Sequence, residues 1–305
     1  MKINDIDVSV IQKAKNSYPQ ISVIIRCKNE SKSIAKCIEA ILNQQINTQF
    51  EIIVIDSGST DDTVKIAQKY NVTIYSIPSS QFQFGSSINL GIKLAQAEYC
   101  VFVSAHAIPA NSKWLSSLVK PMQEDKNIAG TFGRQLYHMN SDFIQKRCID
   151  ETFGKKQKLY TISSGSFKQN LKNISFSNAS SCIRRDVALK IKFSDVIASE
   201  DREWAYRVMK KGYRILYVSD SLIYHVHNET PNQWYRRIYI NSLALYQFAG
   251  IRINLIEIAP LAFWKIIKDM KYCRNNNISI DAIVLKKSIK YEYLYALAHY
   301  KGSHK

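Results

Sequence analysis

The stretch ISVIIRCKNE, residues 21–30, decides the fold, because a nearly continuous apolar run ends there in polar residues. Such a run is typical of a parallel strand that is covered on both faces. A second run, FEIIVI at 50–55, ends in Asp56-Ser57-Gly58-Ser59, and residues 34–42 between the two runs repeat apolar positions at helical spacing. Strand, helix and strand in this order predict an α/β fold with a doubly wound sheet.

The pattern continues outward from this unit along the chain. We expect strands at 72–77, 99–103, 128–137, 213–218 and 222–226, and helices at 63–70, 86–96, 141–154 and 200–211, with a polar, mobile loop at 155–175. Residues 231–305 are helical in pattern. The sequence therefore predicts an N-terminal segment at 1–20, an α/β domain at 21–230 and a C-terminal helical extension at 231–305.

The composition is that of a globular protein with an unusual charge. The chain has 305 residues, of which 46% are hydrophobic, and 42 Lys and Arg against 25 Asp and Glu give a net charge of +17. The longest apolar stretch, 255–267, is too short for a spanning helix and contains Glu257. The first residues do not resemble a secretory signal, so we expect a cytoplasmic protein. The six cysteines show no close pairing and are expected to be free thiols.

The positive charge is concentrated toward the C-terminus. Residues 231–305 carry 12 basic and 4 acidic residues, and aromatic side chains lie between them. This mixture suits the interface of an anionic membrane, which would place the protein peripherally at the inner face of the plasma membrane. A solvated basic surface is the alternative. Nucleic acid is not an expected partner, because the sequence has no recognition motif for it.

Polar residues follow three of the predicted strands. Cys27-Lys28-Asn29-Glu30 follows the first, Asp56-Ser57-Gly58-Ser59 the second, and Ser104-Ala105-His106 the fourth. Ligands of open α/β sheets collect beyond the carboxyl ends of such strands. Carboxylates there can accept hydrogen bonds from a uracil ring or from ribose, and the backbone N–H groups around Gly58 suit an anion. A turn cap is the alternative role for Asp56.

Four stretches in this order resemble the inverting family 2 glycosyltransferases of the GT-A fold, of the bacterial polysaccharide type, over residues 20–230. They are ISVIIRCKNE, EIIVIDSGSTDDT, NLGIKLAQAEYCVFVSAHAIP and ASEDREWAYRVMKKGYRIL. The resemblance implies that Glu30 and Asp56 hold the base and ribose of a nucleotide sugar. It implies that Asn89, with Gly91, lies beneath the donor diphosphate, and that Arg26, Ser57 and Gly58 belong to the same donor site.

The pair Glu200-Asp201 matches the carboxylate position of that family that removes a proton from the acceptor hydroxyl, which makes Asp201 the expected base. The alternative is favourable charge at a helix N-terminus. The segment Gln233-Trp-Tyr-Arg-Arg237 resembles the Q-x-x-R-W of processive members, with Arg237 in place of Trp, and Arg236 could contact a phosphate. The loop 176–180 resembles a loop that lines the acceptor pocket.

One departure from the family pattern concerns the metal. The usual D-x-D is replaced by Ser104-Ala105-His106. Some relatives use D-x-H, so His106 can keep the metal role while Ser104 contacts ribose or phosphate. His225 and His227 share one face of a predicted strand and are further candidate ligands. Imidazole suits Mn²⁺ better than Mg²⁺, which favours Mn²⁺ as cofactor. A metal-independent enzyme is the alternative.

The expected reaction is an inverting transfer of a sugar from a UDP-linked donor to a hydroxyl of a glycan or of a lipid-linked acceptor, in bacterial surface polysaccharide synthesis. The alternative is a degenerate protein that binds a nucleotide sugar at the membrane without turnover, because both D-x-D carboxylates are absent. Retention of Glu200-Asp201 favours the enzyme.

Overall fold

The computed structural model describes residues 1–3, 5–14, 19–225, 227 and 229–304, with the side chain of Lys172 left aside. Its strands are β1 (Lys2–Ile3), β2 (Ile6–Asp7), β3 (Ser9–Gln12), β4 (Ile21–Cys27), β5 (Phe50–Asp56), β6 (Thr73–Ser76), β7 (Tyr99–Ser104), β8 (Ile108–Pro109), β9 (Ile128–Leu136), β10 (Lys158–Tyr160), β11 (Ser180–Arg184) and β12 (Arg214–Tyr224).

The α-helices are α1 (Ile34–Leu42), α2 (Thr63–Ala67), α3 (Phe84–Leu94), α4 (Trp114–Glu124), α5 (Phe143–Thr152), α6 (Phe167–Asn170), α7 (Arg185–Lys190), α8 (Glu200–Lys210), α9 (Pro231–Ala249), α10 (Ile258–Asn275) and α11 (Ala282–Gly302). Short 3-10 helices cover Ser79–Gln81, Leu171–Asn173 and Leu255–Glu257.

A mixed sheet organises the chain, in the order β10-β12-β9-β11-β7-β4-β5-β6-β3, with β8 paired to β12. The strands β7, β4, β5 and β6 run parallel, and β11 is antiparallel to both of its neighbours. Alternate residues of β4 enter different cores: Ile24 packs with α3, α7 and α8 on one face, and Val23 and Ile25 pack with α1 and α4 on the other. The doubly covered α/β sheet expected from the apolar runs is therefore confirmed.

The register of β4 sets the position of the polar residues at the end of the sheet. Cys27 pairs with Asp56 of β5, and Arg26 pairs with Ser104 of β7. The chain segments that follow these three strands therefore leave the sheet at the same edge.

Two predictions about local structure were wrong. Residues 155–175 are not a continuous loop, since they form β10, α6 and a 3-10 helix, and β10 pairs with β12. The two short strands expected at 213–218 and 222–226 are one strand, β12, whose pairing with β9 shifts register between Val218 and Leu222. Since β12 ends at Tyr224, His225 and His227 follow the strand rather than lie on it, and Val226 is outside the described residues.

The C-terminal helices pack on one another, and α11 contacts both α9 and α10. A buried ion cluster joins them to α5: the Arg147 guanidinium binds Asp269 of α10 and, at 2.6 Å, Glu292 of α11. All six cysteines are free thiols. Among the described residues, no helix combines the length and the hydropathy needed to cross a bilayer.

Candidate active site

A cavity of about 670 Å³ opens where β4 and β7 end, between α8 and α9. Many charged and titratable side chains line this cavity: Arg26, Arg236, Arg237, His106, His225, His227, Glu200 and Asp201. Ser104 and the loop residues Ser177, Asn178 and Ala179 also line it. The end of β4, the turn after β7, the N-terminus of α8 and the first turns of α9 therefore supply one site.

The two adjacent carboxylates lie at the start of α8. Burial raises the pKa of Asp201 to about 7, and the negative charge of Glu200 acts in the same direction, while a backbone hydrogen bond from Arg202 opposes both. Burial also raises the pKa of Glu200, against the lowering effect of the Arg26 charge. With a pKa of about 7, the Asp201 carboxylate accepts a proton near neutral pH, as general base catalysis requires.

The three histidines of the cavity wall come together from two segments of the chain. One nitrogen each of His106, His225 and His227 lies within 4.8 Å of the other two. Burial lowers the pKa of His225 well below its ordinary value, and burial together with the His106 charge lowers that of His227. Both imidazoles are therefore neutral at pH 7 and have a lone pair available for a ligand.

Neighbouring acceptors fix the protons on two of these rings. His106 Nδ1 lies 2.7 Å from Glu30 Oε1, and His225 Nδ1 lies 2.9 Å from Gln135 Oε1. Because each oxygen accepts, each Nδ1 carries the proton and donates it. The Nε2 atoms of the two rings face each other at 3.1 Å.

Two residues assigned to the nucleotide lie beside the cavity rather than in its wall. Glu30 uses one carboxylate oxygen for His106 and accepts the Ser33 hydroxyl at 2.8 Å with the other. Asp56 is buried and accepts hydrogen bonds from the N–H groups of Gly58 and Ser59, so that it caps the turn after β5. Their contact with base and ribose stays a prediction.

Three further predicted residues occupy structural positions. The Asn89 amide donates to the Phe193 carbonyl at 2.8 Å and accepts from its N–H at 2.9 Å, which ties the middle of α3 to the segment after α7. Ser57 is buried, and its N–H donates to the Cys27 carbonyl at 2.9 Å. Gly58 has φ +75°, and an added Cβ would lie 2.5 Å from Ser79 Oγ. None of the three lines the cavity in the described chain.

Sequence reasoning missed Gln135, the penultimate residue of β9, whose amide also donates to Ser177 Oγ at 2.9 Å. No motif surrounds it, so only the pairing of β9 with β12 reveals its place beside His225. The resemblance of residues 176–180 to a pocket loop indicated a position near the cavity, and three of these residues do line its wall.

The family described as Glycosyl transferase family 2 matches residues 22–190, more than half of the chain. The fold is that of GT-A proteins: the chain superimposes on the mannosyltransferase PcManGT of Pyrobaculum calidifontis, solved with GDP-Man and Mn²⁺, with a TM-score of 0.62 at 14% identity, covering 94% of this chain and 88% of that one. Staphylococcus aureus TarS, solved with UDP-GlcNAc, gives 0.54 at 17% identity, covering 92% and 90%.

Two curated relatives make the likeness more specific. The O-antigen chain rhamnosyltransferase WbaN of Salmonella anatum is 32% identical over 64% of this chain, and the match spans 62% of that enzyme. The O-antigen chain rhamnosyltransferase RfbN of Salmonella typhimurium is 30% identical over 72% of this chain and 70% of its own length. This chain belongs to glycosyl transferase family 2.

The raised pKa of Asp201 predicts an effect on stability. Ionising this side chain disfavours the folded state, because its pKa is about 7 there and about 3.9 in an unfolded chain. Asp201→Asn should therefore stabilise the protein progressively more as the pH rises from about 4 to about 7, and by a constant amount above pH 7. Thermal unfolding across this range measures it.

The matched control is Asp220→Asn, which changes an exposed carboxylate of β12 and should show no such dependence on pH. A difference between Asp201→Asn and the wild type that is the same at pH 5 and pH 8 would contradict the site described for Asp201.

Proposed function

We propose that this protein is an inverting glycosyltransferase that moves a sugar from a nucleoside diphosphate sugar to a hydroxyl of a glycan or lipid-linked acceptor in bacterial surface polysaccharide synthesis. The observation that carries the proposal is one cavity with Asp201 and three imidazoles in its wall. The O-antigen chain rhamnosyltransferases among the relatives support the acceptor class and make rhamnose the first donor sugar to test, beside UDP-linked hexoses.

The reaction needs a base on one side of the anomeric carbon and positive charge on the other. Asp201 takes the proton of the acceptor hydroxyl while that oxygen attacks the anomeric carbon, and the bond to the diphosphate oxygen breaks on the opposite face. Arg236, in the first turns of α9, can bind the departing diphosphate through its guanidinium group. Inversion follows from the single displacement.

The donor set fits a divalent cation held by His106, His225 and His227. Two nitrogen ligands at about 2.1 Å from one ion lie about 2.9–3.4 Å apart, and the facing Nε2 atoms of His106 and His225 are 3.1 Å apart. Glu30 and Gln135 orient the two rings through their other nitrogens. An all-imidazole set favours Mn²⁺ or another transition ion over Mg²⁺. When bound, the cation would supply charge that stabilises the leaving diphosphate.

A binding protein without turnover would not need a base at Asp201. A carboxylate with a pKa raised to about 7 is costly to the fold, and it gains nothing for nucleotide binding because it repels an anionic donor. The buried position of Asp201 therefore favours a transferase over a binding protein without turnover.

Asp201→Asn should lower the rate of sugar transfer by about 10²–10⁴, the usual loss for a general base. In the wild type, kcat/KM should rise with pH up to about 7, because only the ionised carboxylate accepts a proton. The release of nucleoside diphosphate, followed with a panel of donors, measures the rate of the variant and the pH dependence of the wild type. Asp220→Asn should keep the full rate. An unchanged rate in Asp201→Asn would remove this residue from the reaction.

Mn²⁺ binding, followed by electron paramagnetic resonance, tests the histidine site separately from activity. We expect one bound ion in the wild type and none in His106→Ala. Glu30→Ala should weaken binding about 10–100-fold, because it releases the His106 ring. His138→Ala, which removes an exposed imidazole outside the trio, should bind as the wild type does. Undiminished binding in His106→Ala would contradict the assignment.

We propose further that α10 and α11 rest on an anionic membrane surface. Asp269 and Glu292 are the acidic residues of these two helices, and both are fully buried against Arg147. The outward charges within both helices are therefore all positive, from Lys271, Arg274, Lys286 and Lys290 among others. The exposed acids Glu257 and Asp281 lie directly before the two helices, and Lys268 pairs with Glu151 at 3.2 Å. Large apolar side chains are exposed beside the basic residues: Leu255, Ile256, Phe263, Trp264, Ile283, Ile289 and Tyr293. Exposed aromatics among cations match the chemistry of anionic headgroups.

Co-sedimentation with vesicles that contain phosphatidylglycerol tests this surface. The wild type should bind them, and less strongly at high salt, while neutral phosphatidylcholine vesicles should bind weakly. Trp264→Ser should weaken binding roughly tenfold, because it removes a large apolar side chain from the interface. Leu42→Ser, at the end of α1, is the exposed control and should bind normally. Equal binding to neutral and anionic vesicles would contradict the proposal.

A further inference from the structure

A second cavity of about 330 Å³ adjoins the first and shares Ser177, His225, His227 and Arg237 with it. Its remaining wall comes from α5, the end of β9 and α9, so we call it the α5/α9 cavity. The residues that only this cavity contains are Gln135, Gln145, Cys148, Ile149, Thr152, Phe153, Glu229 and Trp234. The carboxylates Glu200 and Asp201 belong to the first cavity alone.

Two side chains of the α5/α9 cavity carry buried polar atoms without a partner. Among the described residues, neither Gln145 Oε1 nor Trp234 Nε1 has a hydrogen bond, and the two residues are only 5% and 3% exposed. Both atoms lie just behind the cavity surface, so a ligand reaches them through a small rotation of the two side chains. A buried polar atom that stays unpaired destabilises the folded protein. Gln145 Oε1 can accept a hydrogen bond and Trp234 Nε1 can donate one. A ligand with hydroxyl groups can pair with both, because a hydroxyl donates and accepts.

The charge in this cavity is already compensated. Arg237 reaches Glu229 with two hydrogen bonds of 2.7 and 2.8 Å, and its guanidinium lies 4.9 Å from the centre of the Trp234 ring. Arg26 and Arg236 line only the first cavity. An anion is therefore drawn to the first cavity, and the α5/α9 cavity is suited to a neutral ligand.

Size and wall chemistry narrow the class of ligand. A volume of 330 Å³ corresponds to about eleven waters at their share of about 30 Å³ each in the liquid, enough for a sugar ring with its hydroxyls. Ile149 and Phe153 add apolar surface to the wall, on the same face of α5 as Gln145. A hydroxylated ring with apolar faces satisfies both kinds of surface.

We propose that the α5/α9 cavity binds a neutral sugar residue of the acceptor glycan, with hydroxyl groups paired to Gln145 Oε1 and Trp234 Nε1. This inference rests on the proposed sugar transfer. Ser177 lines both cavities. The backbone N–H of the next residue, Asn178, donates a hydrogen bond to the Asp201 carboxylate. An acceptor chain can therefore extend from the α5/α9 cavity past Ser177 and present its terminal hydroxyl to Asp201.

The chain provides its own probe, because its four tryptophans give four indole N–H signals in a ¹H–¹⁵N spectrum. Trp114 and Trp204 donate to Ser180 Oγ and to the Ile191 carbonyl, and Trp264 is 63% exposed on α10. Trp234→Phe assigns the fourth signal. The probes are the methyl glycosides of rhamnose, mannose, glucose and galactose at millimolar concentration, added to the full chain without donor.

We expect at least one glycoside to shift the Trp234 signal in a saturable manner and to leave Trp114 unchanged. Gln145→Leu should weaken that binding about threefold to tenfold, the usual effect of one neutral hydrogen bond. Gln123→Leu, an exposed change on α4, should have no effect.

A Trp234 signal that no glycoside shifts would overturn the proposal, and so would a shift confined to Trp264, which reports binding at the surface. The measurement uses neither donor nor turnover, so failure here with transfer intact would reject only the subsite. Loss of transfer in the donor panel would instead reject the proposed function.

Discussion

The parallel pairing of β4 with β5 on one side and β7 on the other is the constraint on which the site depends. It places Cys27 opposite Asp56 and Arg26 opposite Ser104, so that three separate stretches of chain leave the sheet together. A slip of one residue would turn Ile24 and Ile25 to the wrong cores. The two hydrophobic cores therefore hold the polar residues in register.

Buried acidic side chains have opposite surroundings at the site and in the C-terminal helices. At the start of α8, two adjacent carboxylates are buried together, and burial, followed by the charge of Glu200, raises the pKa of Asp201 to about 7. Between α5, α10 and α11, the acidic groups instead meet Arg147 and are withdrawn from the surface. The first arrangement costs stability and yields a carboxylate that can accept a proton near neutral pH. The second leaves a cationic outer surface with exposed aromatics, on which the proposed membrane contact rests.

The sequence predicted the sheet and several members of the site, because these depend on local patterns. Apolar runs located β4, β5 and β7, and the motif around Glu200 located Asp201 at a helix start. The alternation argument for His225 and His227 failed, since β12 ends at Tyr224, and the rings meet His106 through the path of the chain after the strand.

Other features depended on contacts between segments far apart along the chain. Gln135 approaches His225 only because β9 pairs with β12, and Gln145 and Trp234 meet only where α5 packs near α9. The amide of Asn89 is occupied by the backbone of Phe193, a residue 104 positions away. No local pattern encodes such contacts, so they could not be predicted from the motif that contains each residue.

The most direct test of a single reaction centre is the anomalous scattering of Mn²⁺ in crystals grown with a nucleoside diphosphate. We predict one peak beside the Nε2 atoms of His106 and His225, with the diphosphate next to it in the cavity that contains Asp201. A peak at another place on the protein, or a nucleotide bound outside that cavity, would contradict the assignment of sugar transfer to this site.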